Sequence, residues 1–204
     1  MILTDLLLIP PVKVVLDDLR ARLSPSLYYH SPEHTLDVVN DVFIFASEDG
    51  LRERELELLV IAAAFHDSGF LVENRGHEKL GAERCQRVLI DDGGYNAQEI
   101  GLVVRMILDT QVVMTPRGPR HVSSGFLPNY LLDADLGNFG TDQFFIKLEQ
   151  ARREEGKELL PFLESTLALL TAHEWLTPAA QRLRTEKWNQ NLVALRLKIR
   201  GQSL

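Results

Sequence analysis

The stretch LELLVIAAAFHDSG, residues 56–69, decides the fold of this chain. Apolar residues occupy nearly every side of a helix drawn over residues 52–67, which is typical of a central, buried helix. Gly69 is a natural stop for this helix. The uninterrupted apolar run from Leu58 to Phe65 is far shorter than the roughly 20 residues that span a bilayer. The segment therefore predicts the central helix of a soluble all-α protein.

Helix start signals recur on both sides of this segment. Ser31-Pro32 and Thr177-Pro178 each place an N-cap residue before a proline at the first helical position. Asn96 followed by Glu99 is a variant of the capping box and predicts another helix start. These signals, with the glycines between them, predict an all-α bundle of about eight helices.

We expect one domain over residues 1–204, with its core motifs in residues 28–140 and C-terminal helices over residues 141–200 packed on them. Residues 115–128 contain three prolines and two glycines and have no hydrophobic periodicity. Long loops of this kind in compact domains are often functional. The sequence therefore predicts a long loop between the core motifs and the C-terminal helices.

Composition excludes several classes of protein. The 204 residues include 22 Lys and Arg against 29 Asp and Glu, a net charge of −7. A non-specific nucleic-acid or anionic-membrane binder needs a basic face, so we expect neither partner. The single cysteine, Cys85, excludes a disulfide framework and a Cys-rich zinc site. The first basic residue is Lys13, so the charged front of a signal peptide is missing and we expect a cytoplasmic protein.

Four of the six histidines fall within 48 residues: His30, His34, His66 and His77. His66 and Asp67 stand at a helix end, where an imidazole and a carboxylate can approach one ion from two sides. The helix dipole disfavours an acidic residue at a C-terminus, so Asp67 needs a positive partner. The alternative is a core histidine beside an ordinary helix-end aspartate.

Two further segments carry polar groups in apolar surroundings. His34 begins an apolar stripe that continues to Phe45, and a histidine in that position must find a hydrogen bond or a metal. Asp133 and Asp135 lie in an otherwise apolar helix, where a buried carboxylate is costly unless it is paired. Because these two aspartates point to opposite sides of the helix, we expect at most one of them to face a site.

Taken together, these segments resemble the HD-domain metal-dependent phosphohydrolase superfamily, whose pattern is His, then His-Asp, then Asp. The segment Tyr29-His30-x-x-x-His34 is similar to that of cyclic-nucleotide phosphodiesterases, with Ser31 where asparagine is usual. The segment from Asp133 to Leu136 is similar to the Asp-Ala-Asp-Leu segment of small bacterial members. The resemblance covers about residues 28–192 and implies an HD/phosphodiesterase-like helical fold.

The resemblance also implies roles for single residues. The positions that match the metal ligands are His34, His66, Asp67 and Asp135, with Asp67 bridging two ions if a second one binds. His30 matches the general acid, and His77 matches a position that binds a second metal or substrate phosphate. Branches with a complete second site carry a further histidine where this sequence has Asp109-Thr110. The second ion is therefore either loosely held or absent.

These roles predict a metal-dependent hydrolase in which a metal-activated water attacks phosphorus, with His30 and Asp67 as catalytic residues. The cofactor would be one or two divalent ions, with Mn, Fe, Zn, Co, Ni or Mg as candidates. The partner would be a small phosphorylated substrate, with nucleotides and cyclic nucleotides as candidates. The candidate phosphate contacts are Arg75, Lys79, Arg117, Arg120 and His121.

Two alternatives remain open from the sequence. An HD-fold di-iron oxygenase needs two extra histidines after the His-Asp pair, and only His77 is well placed. A non-catalytic helical module could keep the same ligands as a structural metal clip or a nucleotide sensor.

Overall fold

The computed structural model describes residues 2–202, which are mainly α-helical, as predicted. The described residues form ten α-helices: α1 (Leu3–Leu7), α2 (Pro10–Arg22), α3 (Pro32–Glu48), α4 (Glu53–Phe65), α5 (His77–Asp92), α6 (Ala97–Asp109), α7 (Pro128–Asp135), α8 (Phe144–Glu155), α9 (Leu159–Ala172) and α10 (Pro178–Gln202). Two short 3-10 turns, Ser68–Leu71 and Gly137–Gly140, follow α4 and α7. The strands β1 (Val113–Thr115) and β2 (Gly118–Arg120) form one small antiparallel hairpin.

Helix α4 is the central element, as its all-round apolar sequence predicted. Its residues from Leu58 to Phe65 are buried, and α2, α3, α6 and α7 pack around it. One continuous apolar core joins Leu6 of α1, Phe65 of α4 and Leu195 of α10. The helix that carries the His-Asp pair at its end is therefore held from several sides.

All three predicted caps are present, including that of Thr177, whose hydroxyl accepts from the N–H of Ala180 at 3.2 Å, and the other two position residues of interest. The Ser31 hydroxyl accepts a hydrogen bond from the backbone N–H of His34 at 3.3 Å, which places His34 in the first turn of α3. The Asn96 side chain accepts from the N–H of Glu99 at 3.0 Å, and the Glu99 carboxylate accepts from the N–H of Asn96 at 3.0 Å. Each cap satisfies a backbone donor that the helix itself leaves free.

The structure differs from the sequence prediction in three places. Helix α1 has five residues and no periodicity long enough to reveal it. The apolar helix expected to carry Asp133 and Asp135 ends at Asp135 and is followed by a 3-10 turn. The hairpin occupies the start of the expected loop and places β2 against α9. Strands of three residues are too short for alternation to be read, so tertiary packing defines them.

No helix in the described part of the chain has both the length and the apolar character needed to cross a bilayer.

Candidate metal centre

Three helix ends bring four predicted ligands together. His34 lies in the first turn of α3, His66 and Asp67 directly follow α4, and Asp135 is the last residue of α7. His34, His66 and Asp67 are all buried, with at most 6% of each residue exposed. These three form a group whose donor atoms lie close enough to hold one metal ion.

The spacing of the donor atoms fits a single divalent cation. Oδ2 of Asp67 lies 3.5 Å from Nε2 of His34 and 3.1 Å from Nε2 of His66. Oδ1 of Asp135 lies 3.5 Å from each of the same two nitrogens. Ligands about 2.1 Å from a tetrahedral ion are separated by about 3.4 Å from one another. These four Asp–His separations are close to that value, so each carboxylate oxygen can share one ion with the two imidazole nitrogens.

The same atoms need a positive partner. Within the described chain, Nε2 of His34, Nε2 of His66 and Oδ2 of Asp67 are fully buried and make no hydrogen bond. Buried polar atoms of this kind are normally satisfied. Burial opposes a charge on His66, but Asp67 and Asp135 outweigh it and hold the pKa of His66 well above its usual value. The carboxylates thus draw in a cation, and either a proton or a metal ion can supply it.

Hydrogen bonds on the far side of two imidazoles prepare them for a cation. Nδ1 of His66 lies 2.7 Å from the carbonyl oxygen of Ala63, and Nδ1 of His77 lies 2.9 Å from that of Asn74. A carbonyl only accepts, so each Nδ1 donates a proton to it, and Nε2 is the nitrogen that can bind a metal ion. This arrangement is the usual support for a metal-binding histidine.

Two glycines allow the start of α5 to approach the His-Asp pair. A Cβ atom on Gly69 would collide with the backbone carbonyl of His77, and one on Gly81 would lie 2.7 Å from the carbonyl oxygen of Phe65. The close approach puts Nε2 of His77 at 3.4 Å from Oδ1 of Asp67. Asp67 therefore faces His34 and His66 with Oδ2 and His77 with Oδ1, as a carboxylate that bridges two metal ions would.

Asp109 and Thr110, which occupy the position where a further histidine was sought, do not supply a second metal ligand beside His77. Asp109 accepts hydrogen bonds from the backbone N–H and the hydroxyl of Ser124, at 2.7 and 2.6 Å. The hydroxyl of Thr110 donates to the carbonyl of Ile107 at 2.7 Å. Near His77, the structure instead places Glu78, whose Oε1 lies 3.7 Å from Nε2 of His77.

Of the expected phosphate contacts, His121 lies beside the cluster and lines the cavity described below. It is buried, and its Nε2 lies 3.5 Å from Oδ2 of Asp135. Burial lowers the pKa of His121, and its proximity to His66 lowers it further, although Asp135 opposes the shift. A neutral, buried imidazole adds no positive charge. His121 is therefore better suited to support Asp135 than to neutralise a substrate phosphate.

The other expected phosphate contacts lie away from the cluster. Arg117 and Arg120 point to Glu174, at 3.7 and 3.5 Å. The side chain of Lys79 is 77% exposed and lies 3.9 Å from Glu83, and Arg75 is also exposed. The structure does not bring these four residues to the cavity described next.

A cavity of about 760 Å³ adjoins the cluster. His30, Asp67, His77 and Asp135 line it, together with residues of α8, α9 and the hairpin. Among the described residues that line it, Lys147 of α8 is the one lysine or arginine, and its Nζ lies 2.6 Å from Asp37. Sequence reasoning missed Lys147 because an isolated cation on an amphipathic helix looks like an ordinary surface residue.

Glu154 of α8 is the second residue that the sequence analysis missed. Its Oε1 contacts Nδ1 of His30, and its Oε2 accepts hydrogen bonds from the backbone N–H groups of Tyr29 and His30, at 2.8 and 3.0 Å. Burial opposes a charge on His30, but Asp67 and Glu154 outweigh it and raise its pKa. No signal in the sequence links positions so far apart.

Phe70, also unforeseen, separates two of the histidines. Its ring stacks on His30 with centroids 4.3 Å apart and on His77 with centroids 4.0 Å apart. The centroids of His30 and His77 themselves are 6.0 Å apart. Phe70 thus keeps His30 apart from the histidine that faces Asp67.

The fold defines the class of protein. It matches the crystal structure of a predicted HD superfamily hydrolase from an uncultured Thermotogales bacterium, with a TM-score of 0.64 over 99% of both chains. The two sequences are 17% identical, so the match shows the fold and not the activity. No family model matches the sequence, and no curated protein matches it. This chain therefore has the all-helical HD fold that its motifs predicted.

Proposed function

We propose that this protein is a metal-dependent phosphohydrolase that acts on a small phosphoester. The observation that carries the proposal is the set of buried His34, His66 and Asp67 with half-buried Asp135. In this set each carboxylate has an oxygen 3.1 to 3.5 Å from Nε2 of both histidines, beside a cavity. The fold of the structural neighbour, described as a predicted HD superfamily hydrolase, supports the same reading.

The four side chains would hold a divalent ion, with Asp67 able to contact a second one through Oδ1. Bound there, such an ion lowers the pKa of a coordinated water to about 7 and offsets negative charge on the phosphoryl oxygens. Two imidazoles and two carboxylates form a mixed nitrogen and oxygen set that suits Zn, Fe, Mn and similar ions. The cluster would also fix the position of the phosphoryl group relative to His30.

His30 would supply the proton that the leaving oxygen needs. It lines the cavity, and its Nδ1 is engaged by Glu154, so Nε2 remains to serve the substrate. The raised pKa favours the protonated ring, as a general acid requires. When the ester bond breaks, that proton passes from Nε2 to the departing alcohol oxygen.

Lys147 would contact the phosphoryl group from the opposite wall. It lines the same cavity and is only 16% exposed at its side chain, where it pairs with Asp37. A partly buried ammonium is screened by solvent less than a surface one. Lys147 replaces Arg75, Lys79, Arg117 and Arg120 as the proposed cationic contact.

The alternative di-iron oxygenase is less well supported. It needs a second histidine beside His77, but Asp109 is bound to Ser124, and His121 faces Asp135 instead. The remaining alternative, a non-catalytic metal-binding module, differs from our proposal only in turnover.

The test is a panel of phosphomonoesters, phosphodiesters and nucleotides assayed with metal-stripped protein after addition of Mn, Fe, Co, Ni, Zn or Mg. We expect phosphate ester hydrolysis that depends on the added ion. His66→Ala should abolish both metal binding and hydrolysis. Metal-loaded protein that is inert on the whole panel would support the non-catalytic module, and oxygen consumption with two bound irons would support the oxygenase.

A further inference from the structure

The walls of the cavity differ strongly in character. His30, Asp67, His77 and Asp135 lie at or next to the ends of α3, α4, α5 and α7. Helices α8 and α9 and the hairpin contribute mainly apolar residues, with Lys147 and Glu155 of α8 as the charged exceptions. Along α8, Phe144, Leu148 and Ala151 share one helical face, and all three line the cavity. From α9, Phe162 and Leu169 line it as well. Over their described residues, α8 and α9 are not closely packed on each other. We call the part of the cavity that is lined by Phe144, Leu148, Ala151, Phe162 and Leu169 the apolar chamber.

Exposed apolar side chains continue the chamber to its mouth. Met114 is 79% exposed and Val112 is 43% exposed, and both line the cavity from the segment around β1. Ala168 of α9 lines it too and is exposed. Apolar groups that stay open to water beside a cavity mark a binding surface more often than a gap in packing.

The charges around the cavity limit the number of phosphates it can hold. The acidic residues that line it are Asp67, Glu78, Asp135 and Glu155, against Lys147 among the described cations. A bound metal would balance one phosphoryl group together with Lys147. His30 serves the leaving oxygen, so each further phosphate would face carboxylates or apolar side chains without a lysine or arginine to pair with, and this is unfavourable in a partly buried site.

We propose that the substrate is a monophosphate ester of an apolar alcohol, with its phosphoryl group at the metal centre and its hydrocarbon part in the apolar chamber. This inference rests on the proposed function of the same site and narrows it. Nucleoside triphosphates and other polyphosphates are excluded as preferred substrates. The chamber would bind the hydrocarbon by removing it from water, so affinity grows with its length.

The test measures binding, not turnover. A series of n-alkylphosphonates from methyl to octyl is titrated into the protein by calorimetry, because a carbon–phosphorus bond is not cleaved by ester hydrolysis. Burial of each methylene should tighten binding about fourfold. An affinity that stays constant from methyl to octyl would overturn the proposal. So would adenosine triphosphate binding more tightly than octylphosphonate.

Two substitutions, Ala168→Gln and Met114→Gln, test the position of the chamber, and Thr171→Gln is the control. Ala168→Gln adds a neutral polar side chain to the lumen and should flatten the dependence on chain length. Thr171→Gln, on an exposed position of the same helix that does not line the cavity, should leave it unchanged. Met114→Gln alters an exposed position, so it supplies the same test without risk to the core. If affinity depends on alkyl chain length in Ala168→Gln and Met114→Gln as it does in the original protein, the alkyl chain binds elsewhere and the proposal is contradicted.

The result separates the two proposals. Chain-length-dependent binding to metal-loaded protein that hydrolyses none of the phosphoesters would keep the apolar chamber and overturn the hydrolase. Metal-dependent hydrolysis of small esters without chain-length dependence would keep the hydrolase and overturn the chamber.

Discussion

Glu154 holds His30 although the two residues are 124 positions apart in the sequence. One carboxylate oxygen contacts Nδ1 of the ring, and the other accepts the backbone N–H groups of Tyr29 and His30. The contact fixes the ring orientation and, with Asp67, raises the pKa of the imidazole against the effect of burial. Glu154 is therefore a positioning residue for the proposed general acid.

Replacing Glu154 with glutamine should lower kcat by about tenfold or more, within the range that general acids contribute. Because the lost charge no longer raises the pKa of His30, the protonated form should disappear at a lower pH. The alkaline limb of the kcat profile should therefore move to lower pH, which a purely structural role would not cause. The exposed Glu158→Gln serves as control, and an unshifted limb in the Glu154 variant would argue against this role.

The His30→Ala variant should keep its metal, because His30 is outside the four-residue cluster. Its kcat should fall about 100-fold or more for alkyl phosphates, whose leaving oxygen needs a proton. The loss should be smaller for nitrophenyl phosphate, whose leaving group departs without one. Metal analysis and kinetics with both esters test this. Loss of the metal in this variant would show that His30 is a ligand.

Asp133 and Asp135 lie two residues apart, yet we expect opposite effects from their asparagine variants. Asp135 faces His34 and His66, so Asp135→Asn should bind metal much more weakly. Asp133 is fully buried and accepts hydrogen bonds from the N–H of Leu176 and from the N–H and hydroxyl of Thr177, at 2.7 to 2.9 Å. Asp133→Asn should keep metal but lower the free energy of unfolding by about 1–3 kcal/mol. Metal content and urea denaturation of both variants separate the two roles.

Metal binding should release protons. The pKa of His66 is well above its usual value while Asp67 and Asp135 face it, so metal-free protein carries a proton there at pH 7. A metal ion must displace that proton to reach Nε2, and we expect about one proton released per ion. Calorimetry in two buffers of different ionisation enthalpy measures this number. A binding enthalpy that is the same in both buffers would contradict the ligand role of His66.

His173 should make the protein sensitive to acid. Burial lowers its pKa to about 3, with His121 and Arg120 adding to the shift. The unfolded chain binds a proton near pH 6.5, so the stability from this group is complete above that pH. This contribution to the free energy of unfolding is lost as the pH falls towards 3, by at most about 1.4 kcal/mol per pH unit. His173→Phe should lose less stability than the original protein between pH 6.5 and 4.5 in urea denaturation. Parallel stability curves would show that His173 does not carry the effect.

Local sequence signals predicted much of the fold. The all-round apolar pattern of α4, the Ser31 cap and the Asn96 cap each involve residues no more than four positions apart or a single helical face. Such interactions follow from backbone geometry alone and do not depend on the rest of the chain. The hairpin and α1 were missed because segments of three to five residues carry too little pattern.

The predicted roles of the site residues are still predictions, but the structure changes what surrounds them. It places His121 beside Asp135 and leaves Arg117 and Arg120 with Glu174. A sequence lists a basic residue without its direction, so a buried imidazole and an exposed guanidinium in one loop look equivalent. Burial and distance, not residue type, distinguish them.

The sequence by itself determined that the chain is helical, that α4 is its centre, and that a His-Asp pair ends that helix. Only the tertiary structure decided that Glu154 meets His30, that Lys147 enters the cavity, and that α8 and α9 leave an apolar chamber beside the carboxylates. The physical reason is the range of the interactions. Helix periodicity and caps are set within one or two turns, whereas contacts across more than 100 residues depend on the angles at which whole helices pack.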